Sequence, residues 1–172
     1  MKAALTPICA ALLALVPLGT LAQEAPLAED LTQAAAATPE NVLELWRADP
    51  TRIFSGAEVD VEALQYIARP LVVFADSPFD PNFAQQMELI EDGWNDLVPR
   101  DVMVITDTDP AARTPLREIF RPRGFVMILV GKDGRIAQRK PSPWATREMS
   151  HAIDKLPLRQ QEIRETGTLG GR

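Results

Sequence analysis

The chain has 172 residues, 46% hydrophobic and 24% charged, with a formal net charge of −6. That composition is globular, and the net acidity excludes nucleic acid as a main partner, because phosphate binding needs a net basic surface. The single cysteine, Cys9, excludes a disulfide framework and a thiolate metal site.

Residues 1–22 read as a secretory signal. Lys2 supplies a positive start, Ala3 to Leu18 is almost wholly apolar, and Thr20-Leu21-Ala22 offers small residues for cleavage near Ala22. Pro7 and Pro17 interrupt an apolar run already short for a membrane span. The expected product is exported to the periplasm or medium, has no transmembrane segment and has lost Cys9. Such a chain has no thiol nucleophile and no redox pair.

Residues 23–38, rich in Ala, Glu and Thr, read as a flexible linker. Residues 39–68 form a helical and extended N-terminal extension: Pro39 suits a helix start, and Val42, Leu45 and Trp46 follow at helical spacing. A domain spans 69–164, and 165–172 read as a disordered tail.

Within the domain, Leu71-Val72-Val73-Phe74-Ala75 is a continuous apolar run, as expected of a strand covered on both faces. Asp80-Pro81 pairs a capping residue with proline at the first helical position, and Phe83, Met87, Ile90 and Trp94 form one apolar face. Val102 to Ile105 is a second buried strand. Thr114-Pro115 repeats the cap for a short helix with Leu116, Ile119 and Phe120 inward. Phe125 to Val130 is a third strand, and Gly131-Lys132-Asp133-Gly134 turns the chain into a polar strand, Arg135 to Gln138. The last helix starts near Pro143 to Thr146 and buries Met149, Ala152, Ile153 and Leu156; Pro157 ends it or begins a new turn.

Strand, helix, strand, helix, strand, hairpin, strand, helix is the order of a thioredoxin-like α/β fold, with a mixed sheet flanked by helices. At Pro70 to Ala75, Gly124-Phe125, Gly131 to Gly134 and Arg159-Gln160-Gln161-Glu162-Ile163-Arg164 the chain resembles a thioredoxin-like domain of unknown function. That family occurs in exported bacterial proteins and in animal extracellular-matrix and sushi-repeat proteins. The resemblance implies the fold and no activity. Active thioredoxins place their redox motif between the first strand and first helix, where this chain has Asp76-Ser77-Pro78-Phe79-Asp80-Pro81-Asn82. Their cis-proline begins the third strand, where this chain has Phe125-Val126. The domain therefore reads as redox-inactive.

Three sets of residues are candidates for function. Asp76, Asp80, Asp107 and Asp109 fall at the carboxyl ends of the first two strands, where four acids could hold a hard cation or perform acid-base chemistry. Against this, Asp80 and Asp109 also read as cap and turn residues. Ser77 has no nucleophile elbow, and the single histidine, His151, lies off its helix's apolar stripe. Charge is also asymmetric: 23–99 holds fifteen acids against three bases, and 110–147 two acids against nine bases. Arg117, Arg121, Arg123, Arg139 and Lys140 could form a docking surface for an acidic protein, anionic glycan or headgroup, with Arg117 and Arg121 on one helix face. Alternatively, the acidic half covers the basic half, or both are solvated. Arg159 to Arg164 reads as a recognition helix or as a turn of helix packed back through Leu158 and Ile163. No cofactor is expected. The favoured function is a non-enzymatic binding module of the cell envelope, its partner another envelope protein or an acidic ligand.

Overall fold

The computed structural model describes residues 37–38 and 41–169. The expected signal at 1–22, nearly all of the expected linker, the helix start at Pro39 and the last three residues lie outside the described residues. The elements are α1 (Val42–Ala48), β1 (Phe54–Ser55), β2 (Arg69–Phe74), α2 (Pro81–Asp92), α3 (Trp94–Leu97), β3 (Val102–Asp107), α4 (Pro115–Phe120), β4 (Val126–Val130), β5 (Ile136–Lys140), α5 (Thr146–Asp154) and α6 (Pro157–Leu169).

The strands form one sheet in the order β1-β3-β2-β4-β5. β1, β3 and β2 run parallel, while β4 is antiparallel to β2 and β5 antiparallel to β4. Every residue of β2 and β4 is buried. Because neighbouring strand residues point to opposite faces, β2 feeds two cores. Val72 and Phe74 join Trp46, Leu116 and Phe120 on the face covered by α1 and α4. Leu71 and Val73 join Ile90, Leu97, Met149 and Ile153 beneath α2, α3 and α5. At about 1.5–3 kcal/mol per large apolar side chain removed from water, these two clusters supply the main stabilisation.

The starts of α2 and α4 are set by caps, as the sequence indicates. Asp80 accepts hydrogen bonds from Asn82 N at 2.8 Å and Phe83 N at 3.3 Å, and Thr114 Oγ1 accepts from Arg117 N at 3.3 Å. Asp80→Ala should cost about 1 kcal/mol, read as a lowered urea midpoint with unchanged slope.

Several expectations are corrected. The helix expected to run through Trp94 breaks at Gly93, where a Cβ would collide with Thr146 on α5, and α3 restarts beyond it. Ile119 is 57% exposed, because α4 has only six residues and turns Leu116 and Phe120, four apart, inward. α6 continues to Leu169 rather than dissolving into a tail at 165. β1 is an added strand within the stretch that the sequence marks as extended.

Candidate functional site

The sheet has two polar ends, and both differ from the sequence reading. At the carboxyl end of the parallel strands, Asp107 closes β3 with its side chain only 2% exposed. It accepts hydrogen bonds from Thr114 Oγ1 and, at 2.7 Å, from Arg117 Nε. Arg117 Nη2 also donates to the Ala75 carbonyl at 2.6 Å and the Asp107 carbonyl at 3.0 Å, while its guanidinium lies 5.6 Å from the Phe74 ring centre. This one side chain therefore ties the ends of β2 and β3 together.

The four candidate acids do not form a cation site. Asp76, with its side chain 60% exposed, lies 3.7 Å from the same guanidinium; Asp80 caps α2; Asp109 accepts from Ala111 N at 2.9 Å. Among the described residues no three His, Cys, Asp or Glu side chains are grouped to hold a metal. Backbone N–H groups, the Thr114 hydroxyl and the Arg117 guanidinium answer their carboxylates. Ser77 Oγ accepts from Phe79 N at 3.2 Å within its own turn. Phe79, at the tip of that loop, is 90% exposed.

The basic set also divides. Arg117, its side chain 10% exposed, is committed to this tie. It shares no helix face with Arg121, because α4 ends at Phe120 and Arg121 turns out of it with φ 45°. Arg121 and Arg123 are exposed. Arg139, also exposed, donates to the Phe120 carbonyl at 2.7 Å, and Lys140 Nζ lies 5.0 Å over the Trp144 ring. On α5, His151 is exposed, as its place off the stripe indicates.

At the opposite end stands a cluster that the sequence did not reveal. Arg69, the first residue of β2, is fully buried. Its Nη1 donates to the Arg100 carbonyl and its Nη2 to Glu162 Oε1, each at 2.8 Å. Lys132 Nζ, in the β4–β5 turn, is 2.7 Å from Asp101 Oδ2 and 3.0 Å from Glu162 Oε1. Arg159 Nη1 donates to Glu162 Oε2 at 3.1 Å, and Arg100 makes a two-pronged pair with Asp154 at 2.9 and 2.7 Å. Burial pushes the Glu162 carboxyl up, but hydrogen bonds from Arg69, Lys132 and Arg159 outweigh it and bring its pKa down to about 2. The hydrogen bonds from Arg100, with that cation beside it, hold Asp154 below its ordinary value against the opposing effect of burial.

The 159–164 segment is thus a latch. Arg159 and Glu162 carry the docking, whereas Ile163, expected to pack inward, is 44% exposed. Arg164 is exposed on the same helix. The only signal in the sequence was a charged residue abutting an all-apolar strand.

A mixed sheet in this order, three parallel strands extended by an antiparallel pair and helices on both faces, defines a thioredoxin-like domain. The chain belongs to the family described as "Domain of unknown function (DUF4174)", whose model matches residues 60–162. The match contains Arg69, Lys132 and Glu162, so the polar cluster is internal to the family's domain. Among solved structures, the crystal structure of StoA from Bacillus subtilis is similar over 49% of this chain and 81% of that chain, at 8% identity and a TM-score of 0.32. No curated protein matches the chain. No helix among the described residues is long and apolar enough to cross a membrane.

Proposed function

We propose that the chain is an exported, redox-inactive binding module that docks on another protein of the cell envelope. Phe79 carries this reading. It is a large aromatic ring 90% exposed on the loop where thioredoxins place their reactive thiols. The processed chain offers no thiol there, since Cys9 lies in the signal-like segment. The polar groups behind the loop are already committed to one another through Asp107, Thr114 and Arg117. An exposed aromatic on a loop with an internally paired base suits contact better than chemistry, because such rings bury much area at low entropic cost.

Affinity capture from envelope extract tests the reading, with intact mass establishing that the bait begins after Ala22. Wild type should enrich one protein reproducibly. Phe79→Asp should reduce that enrichment about tenfold or more while shifting Tm by less than about 2 °C, as a surface change does. An empty capture, or one indifferent to Phe79, overturns the reading.

A further inference from the structure

β5 is the last strand in the order and pairs only with β4 among the described residues. An edge strand presents a row of unpaired N–H and C=O groups, and proteins that leave one open guard it with charge. β5 carries Arg139 and Lys140 and no carboxylate, and Arg135 stands immediately before it; Arg139 and Lys140 also touch the Phe120 carbonyl and the Trp144 ring. Ile136 on this strand is 49% exposed. It borders a cleft of about 180 Å³ also lined by Ala137, Leu156 and Leu158, with Lys132, Arg135 and one carboxylate, Asp133, among its polar walls.

We infer that the β5 edge receives an extended acidic segment of the partner protein as an added strand, with one aliphatic side chain seated in the cleft beside Ile136. This rests on the binding-module reading and gives it a surface and a partner chemistry. Strand addition supplies backbone hydrogen bonds, and alternate side chains supply specificity. A second copy of the chain is disfavoured, because pairing two such strands brings only cations together and like charges across a ladder repel. A glutamate-rich or aspartate-rich strand meets the same cations favourably.

The test is a fluorescence-anisotropy titration of the full processed chain with a labelled seven-residue peptide alternating Glu and Leu. The acidic peptide should bind. Replacing its Glu residues by Lys, or N-methylating alternate backbone nitrogens, should each weaken binding at least tenfold, and 0.5 M salt should weaken it several-fold. Arg135→Glu with Arg139→Glu should weaken it equally. N-methylation alters the probe and not the protein, so that comparison stands even if the charge reversals disturb folding. No binding of the acidic peptide, or equal binding of the N-methylated one, overturns the inference. Capture of an envelope protein that survives the reversals but is lost with Phe79→Asp sinks the β5 inference alone; loss of capture by wild type sinks the binding-module reading.

Discussion

Glu162→Ala should destabilise the domain by about 3–5 kcal/mol, the range for breaking a buried ion pair by removing one partner. The cause is Arg69. Its side chain is fully buried, and a guanidinium cannot shed its proton to escape the low dielectric. Without Glu162, the remaining carboxylate near it is Asp101, 3.8 Å away and 43% exposed, while Lys132 and Arg159 add like charge. A urea midpoint lower by about 2 M, at a slope of about 2 kcal/mol per M, is the direct readout. Acid should reproduce the lesion in the wild type. The folded pKa of Glu162 lies near 2 against an ordinary 4.5, so its stabilisation is complete above about pH 4.5 and lost as pH falls towards 2. Glu162→Gln should flatten that part of the pH–stability curve. Arg69→Met combined with Glu162→Leu should recover much of the loss, because an apolar replacement of the whole pair leaves no stranded charge. If Glu162→Ala melts within about 2 °C of wild type, the latch is not what fixes α6 to the sheet.

The parts of the fold that the sequence revealed are those whose physics is local. β2, β3 and β4 are apolar runs because both faces of each are covered, and the caps at Asp80 and Thr114 act on backbone groups two or three residues away. What stayed hidden depends on distant partners. Arg69 meets Glu162 across 93 positions, and no periodicity connects them. Asp107 is buried beneath Arg117, which reaches it across the sheet edge; counted along the chain, the first looks like one of four strand-end acids and the second like a docking or solvated helix residue. β1 is two residues long, too short to show alternation. Three of the four stretches that carried the family resemblance meet at one place: β2 supplies Arg69 next to Pro70, the Gly131–Gly134 turn supplies Lys132, and the 159–164 segment supplies Glu162. Their joint role in this structure is to lock the C-terminal helix to the amino end of the central strand.

Arg117→Ala should be as costly as loss of the latch, about 3–5 kcal/mol, and it should also reach the loop that presents Phe79. Removing the guanidinium leaves the Asp107 carboxylate, 2% exposed, with Thr114 as its remaining side-chain partner, takes a donor from the Ala75 carbonyl and leaves the Asp107 carbonyl only its bond from Ala75 N. Arg117→Lys should recover little, because an ammonium cannot span the carboxylate and two carbonyls that the planar fork joins. Adding Asp107→Asn to Arg117→Ala should restore part of the stability, since the buried group is then neutral. The same tie holds Ala75, one residue before the loop from Asp76 to Asp80 that presents Phe79. Arg117→Ala should therefore weaken partner capture at temperatures where circular dichroism shows the domain still folded. Phe79→Asp should weaken capture with no change in stability. Capture undiminished in folded Arg117→Ala protein would mean that the loop's conformation is set by its own Ser77 and Asp80 hydrogen bonds, and that the ion pair beneath it serves stability alone.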